Sequence, residues 1–304
     1  MKVSNQLKEK IENYFNHLFH GAQTNEDNRY MEKSTNFDQW LIDNDYIKNI
    51  ASSNLVNLVP TKKLLFLSFN KSKEFIRNFS STFGNYESNS TFPILKNRFE
   101  FYYNKLRDNF GKELQEENQI FICPYCQRNY IGIFDNDKST KGYIAPDLDH
   151  FFPKSKYPFL AATISNLIPA CCVCNQRLKK DKDTYEQCIP NPIEIENNIF
   201  ENIEFNYNYK GPYIENYSEF KEYLEFFKIQ EQYSIHTEII NDIKVKMNKY
   251  NRVKKDHLSK CCPSLNEKII EDMVFHEYKY IDNKKTPLWK LKKDIYKKIK
   301  NESN

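Results

Sequence analysis

Apolar residues fall at helical spacing over much of this chain. Leu7, Ile11, Phe15, Leu18 and Phe19 share one face of a first helix. Ser34, Thr35 or Asn36 is placed to cap a second helix carrying Phe37, Trp40 and Leu41. The run at 64–69 suits a buried helix and a strand equally. Residues 80–92 are polar and predict a loop. After Pro93, the stripe Leu95, Phe99, Tyr102, Leu106 and Phe110 predicts a strong helix.

The period then changes. Residues 119–122 predict a strand entering a cysteine turn, and 135–142 a turn-rich loop. Short strands are predicted from Ile144 to His150 and from Leu167 to Ala170, with a short helix from Cys174 onward. The order is strand, loop, strand, helix. Beyond Pro190-Asn191-Pro192, Phe205, Tyr207 and Tyr209 alternate with polar residues, a packed strand face ended by Gly211-Pro212. Ile235, Ile239, Ile243, Met247 and Tyr250 predict a long amphipathic helix. Thr286-Pro287 predicts the start of a last one, with Leu288, Leu291, Ile295 and Ile299 as its stripe. Lys290, Lys292, Lys293, Lys297, Lys298 and Lys300 form its solvated face, which can also add salt-sensitive affinity for a nucleic-acid backbone. The fold class that follows is α+β, mainly α-helical. The expected division is an N-terminal helical region (1–118), a core (119–192) and a mainly helical C-terminal region (193–304).

Composition supports the helical reading: 6 glycines in 304 residues, with 21 Tyr and 23 Phe to fill cores. The net charge of +4 is an ordinary surface balance, so any nucleic-acid role must rest on a site rather than on charge. The N-terminus shows no apolar signal core, and no apolar run approaches the ~18–20 residues of a membrane span. A cytoplasmic protein with no membrane partner is expected.

In that compartment eight cysteines argue for metal rather than disulfides. Cys123 and Cys126 form C-P-Y-C; Cys171 and Cys174 lie in C-C-V-C. A two-residue gap lets both sulfurs of a pair reach one ion, so the four thiolates read as a structural Zn2+ site. A redox C-x-x-C fits less well, because no βαβ pattern surrounds either pair. Cys172 reads as a packed thiol, with an exchange of roles with Cys171 left open. His257, Cys261 and Cys262 read as a helix end, and His17 and His20 as surface or core residues.

Between the cysteine pairs stand D-L-D-H-F-F-P-K-S (147–155) and N-L-I-P-A (166–170), and Asn175 follows Cys174. This arrangement resembles the HNH endonuclease family over residues 121–181. The resemblance implies a ββα-metal finger with structural zinc, flanked here by N- and C-terminal helical regions. It implies His150 as the general base, Asn166 as the residue that orients His150 through its loop, and Asp149 and Asn175 as ligands of a catalytic Mg2+ or Mn2+. Hydrolysing a phosphodiester needs such a base for water and a cation near the leaving oxygen. Pro153 and Ser155 match the pattern and shape the loop. The third position of the pattern is Asn175, so the set reads His-Asn-Asn, with a neutral third group. The usual lysine after the last pair is displaced, leaving Arg177, Lys179 and Lys180 to contact phosphate or to form a solvated face.

The implied substrate is DNA more than RNA. The layout also looks like HNH effectors of bacterial anti-phage systems, including Septu-type and retron-associated ones, which work with an ATPase partner. Two readings compete: a zinc-stapled nucleic-acid-binding module without catalysis, and a ribonuclease with the same chemistry.

Overall fold

A computed structural model describes residues 1, 3–18, 35–52, 55–135, 143–144, 146–194, 199–216, 218–283 and 285–303. Phe19, His20, Ser34 and loop positions 136–142 lie outside the described residues. The fold is α+β, and its described sheets are four antiparallel strand pairs. The chain divides into two compact units: residues 1–120 with 131–194, and residues 121–130 with 195–304.

The first unit begins with α1 (Asn5–Asn16), capped by Ser4 Oγ, which accepts from Leu7 N at 3.2 Å. Leu7, Ile11 and Phe15 of the predicted stripe are its buried face; the helix ends at Asn16, so Leu18 falls beyond it. Next come α2 (Asp38–Asp43) and a hairpin of β1 (Ile47–Ser52) and β2 (Leu55–Pro60), paired Ile47 to Pro60. The short α3 (Lys62–Leu65) and α4 (Phe69–Phe83) follow. The ambiguous run at 64–69 thus resolves as the end of one helix and the start of another.

The predicted loop at 80–92 begins later than its polarity suggests. Helix α4 runs through Ser80, Ser81 and Thr82 because Phe75, Phe79 and Phe83 continue its aromatic row. It stops at Gly84, whose φ of +58° only glycine adopts readily. That row also fixes the site loop: Phe159 packs 4.3 Å from Phe79 and 4.8 Å from Phe75, ring centre to ring centre. Phe69 stacks on Phe152 at 5.1 Å.

The 27-residue α5 (Phe92–Asn118) buries the predicted stripe in full. It also buries Arg98, whose guanidinium pairs with buried Asp38. After β3 (Phe134–Asp135) and β4 (Tyr143–Ile144) come β5 (Asp147–His150) and β6 (Leu167–Ala170). These last two pair antiparallel, with Asp149 opposite Ile168 and His150 opposite Leu167. Helix α6 (Val173–Lys179) follows and is wound wider than an α-helix; Lys180 N bonds back five residues to Asn175 O at 2.8 Å.

In the second unit the 121–130 segment is a turn rather than a strand. The stretch expected at 119–122 makes only an isolated pairing between Ile122 and Tyr130. Strands β7 (Glu204–Asn208) and β8 (Gly211–Asn216) form a hairpin, with Gly211-Pro212 opening the second strand instead of ending the first. Among the described residues the α-helices that follow are α7 (Lys221–Phe226), α8 (Ile229–Ser234), α9 (Thr237–Lys249), α10 (Arg252–Cys261), α11 (Glu267–Lys279) and α12 (Trp289–Glu302). Ile235 precedes α9 and is exposed, while Ile239, Ile240 and Ile243 carry the buried face. Helix α12 starts at Trp289, after Leu288 in the left-handed region, two residues later than Thr286-Pro287 suggested. On its charged side Lys290 is paired to Asp294 and Lys300 to Glu271.

Candidate metal centre and candidate active site

Each cysteine pair is built by local backbone. Cys123 N bonds to Asn129 O (2.9 Å) and Gln127 N to Cys123 O (2.8 Å), closing a tight turn with Gln127 at φ +49°. Three further bonds tie this turn to its own unit: Tyr223 OH to Tyr125 O, Tyr233 OH to Cys126 O, and Leu288 N to Gln127 O, each 2.8 Å. Cys171 leaves β6 and Cys174 lies in α6, with Asn175 N bonded to Cys171 O at 3.0 Å. All four cysteines are buried, and their sulfurs lie within 4.8 Å of one another. Tetrahedral Zn–S bonds of about 2.3 Å place sulfurs about 3.8 Å apart, so the set fits a metal ion such as zinc. Cys172 is exposed and outside the cluster, which resolves the Cys171–Cys172 alternative in favour of Cys171.

The β5–β6 pair places the polar motif residues beside one cleft of about 580 Å³. Asp149, His150 and Asn175 line it, as do Pro153, Ser155 and Lys180. His150 is the last residue of β5 and is 7% exposed. Its Nε2 lies 3.0 Å from Ala161 O. A carbonyl oxygen only accepts, so Nε2 carries the hydrogen and the neutral ring keeps its lone pair on Nδ1. Burial, then the charge of Lys154, pushes the imidazole down to about 3; the Ala161 bond opposes this and Lys179 adds to it. The ring is therefore neutral at physiological pH.

Asn166 is fully buried and does not bond to the His150 ring. Its Oδ1 accepts from Phe152 N (2.7 Å), and its Nδ2 donates to Phe152 O (3.1 Å) and Leu160 O (3.2 Å). It thus clamps the loop that presents Ala161 O to His150, and its effect reaches the imidazole through that backbone. Thr163 adds a second anchor, its hydroxyl donating to Leu64 O at 3.0 Å.

The three cations after the cysteines part ways. Arg177 is exposed, Lys180 is exposed at the cleft, and Lys179 is 1% exposed. Lys179 therefore departs from both of its expected roles. Its Nζ turns inward, donating to Asp149 Oδ1 (3.1 Å) and His150 O (2.7 Å), because the wide turn of α6 carries it under β5. A buried carboxylate needs such a partner.

Sequence reasoning passed over several residues here. Asp147, two positions before Asp149 on the same strand face, accepts from Asn175 Nδ2 (3.1 Å) and Gln176 Nε2 (2.7 Å). The repeated acid in D-L-D-H was the available signal. Tyr103 and Arg107 come from α5, over forty residues upstream, and carried no local signal.

No known protein family, curated protein or solved structure matches this chain.

Proposed function

We propose that this chain is a metal-dependent endonuclease of the HNH type that hydrolyses phosphodiester bonds, in DNA more than in RNA. The observation that carries the reading is His150: a buried, neutral imidazole, held through Nε2 by Ala161 O, in a cleft that Asp149 and Asn175 also line.

A water molecule attacking phosphorus gives its proton to His150 Nδ1, the ring nitrogen left with a lone pair. An arriving phosphodiester raises the imidazole from its depressed value, because a nearby negative charge favours the imidazolium. Asn166 keeps the acceptor carbonyl in place while the ring gains charge. The oxygen donors of Asp149 and Asn175 suit a hard divalent ion such as Mg2+ or Mn2+. When bound, that ion supplies positive charge to the scissile phosphate and its leaving 3′-oxygen. Asn175 turns its amide nitrogen to Asp147, which leaves its oxygen as the ligand atom.

The same motif resemblance supports a role as effector of a bacterial anti-phage system, cytoplasmic and working with an ATPase partner. Co-purification of an ATPase with the tagged chain tests that part.

The catalytic reading is tested by plasmid cleavage with Mg2+ or Mn2+, wild type beside His150→Ala. Cleavage by wild type and none by the variant is expected. Equal nicking by both proteins, or none by either under any divalent ion, leaves a zinc-stapled binding module as the better description. Structured RNA run alongside separates a ribonuclease.

A further inference from the structure

The α5 wall of the cleft carries groups that the motif residues do not account for. Tyr103 is buried, its hydroxyl donates to Leu148 O (3.3 Å), and its ring meets the His150 imidazole at an angle, centres 4.4 Å apart. One turn along α5, the Arg107 guanidinium lies over the same ring, 5.6 Å from its centre. Arg107 lines the cleft with its side chain 38% exposed.

We propose that Arg107 is a phosphate-binding residue of this cleft, holding a backbone phosphate of the strand whose neighbouring phosphodiester is presented to His150. The proposal rests on the nuclease reading and adds a substrate contact to it.

The charge of the cleft lining favours such a contact. Asp108, Asp147, Asp149 and Asp181 line the cleft, against Arg107, Lys154 and Lys180 among its described residues. With Asp149 paired to buried Lys179, three lining carboxylates stand against three cations, so a polyanion entering the cleft meets no net positive charge. Lys179 is buried and held by Asp149, and Lys154, in an exposed pair with Glu100, presents a single ammonium point charge rather than a fork. Arg107 is paired to its neighbour Asp108 at 2.9 Å, with both side chains well exposed, and an exposed pair of this kind holds weakly against a phosphate. A guanidinium presents a planar fork that matches two phosphate oxygens. Lying over Tyr103 restricts its rotamers before the strand arrives, so less entropy is lost on binding.

The test is binding of a short DNA duplex with Mg2+ across a salt series, in a His150→Ala background so that the strand stays intact. Arg107→Gln is expected to weaken binding roughly tenfold on unrelated sequences alike, and to lower the slope of log affinity against log salt by about one. Arg107→Lys keeps the slope. Asp108→Asn, which removes the competing carboxylate, tightens binding severalfold and supplies the answer if Arg107→Gln does not fold. Lys96→Gln, on the same helix and outside the cleft, matches the parent. A parent that binds DNA, with Arg107→Gln or Asp108→Asn indistinguishable from it in affinity and slope, overturns the proposal and leaves the nuclease reading standing. A chain with His150 intact that neither binds nor cuts nucleic acid overturns both.

Discussion

The Lys179 ammonium lies 3.1 Å from Asp149 Oδ1, and both side chains are buried. The lysine reaches back from a helix twenty-nine positions beyond His150, whose carbonyl it also caps. The acidic residue of the motif is thus held by a cation of the chain itself. Removing that cation strands a charge. Lys179→Met is expected to cost ~3–5 kcal/mol in chelator-containing buffer, because the buried Asp149 carboxylate loses its ammonium partner. Adding Asp149→Asn should return part of the loss. Urea unfolding of both variants is the measurement; a single variant as stable as the parent would show the pair to be dispensable.

Asn166→Ala removes three hydrogen bonds and leaves the buried backbone N–H and C=O of Phe152 without these partners, while Leu160 O keeps its bond from Thr163 N. A loss of ~1–3 kcal/mol is expected. On the proposed nuclease chemistry, kcat should fall more than KM changes, because Ala161 O loses its fixed place beside His150 Nε2. Steady-state cleavage kinetics beside a urea titration separates that from simple instability.

Cys123→Ala and Cys174→Ala should each lower bound zinc from about one ion per chain, and lower the melting temperature. Cys172→Ala should do neither, since Cys172 is exposed outside the cluster. Metal content by mass spectrometry decides. A chain purified without chelators that holds no zinc would contradict the assignment.

Glu271 gives the second unit an acid-sensitive tie. Burial pushes its carboxyl up, but hydrogen bonds from Lys300 and Tyr296, with the charges of Lys300 and Lys279, outweigh this and bring it to about 2. A depressed carboxylate contributes fully above its ordinary value of 4.5 and loses that contribution as pH falls toward 2. Thermal melts of wild type should therefore steepen in pH dependence over that window, and those of Glu271→Gln should be flatter. Buried Trp289 reports this unit by fluorescence in a Trp40→Phe background. Parallel curves for the two proteins would remove Glu271 from the account.

Local pattern made much of this legible. The stripe Leu95, Phe99, Tyr102, Leu106 and Phe110 identified α5 because helical spacing is a one-dimensional property. The C-x-x-C gaps marked the metal pairs for the same reason: two residues of chain settle whether two sulfurs reach one ion. Local polarity misled at Ser80–Thr82, where an aromatic row carried the helix on, and at 119–122, where apolar residues enter a turn instead of a strand.

The chain by itself determined the helical class, the four cysteines, and the choice of Asp149, His150, Asn166 and Asn175 as residues of interest. Tertiary structure decided what surrounds them. It set Lys179 on Asp149, Asp147 on Asn175, Ala161 O on His150 Nε2, and the Tyr103 ring with Arg107 beside the imidazole. These partners lie 11 to 47 positions apart along the chain. Spacing encodes neighbours within a few residues; burial and long-range packing choose the rest.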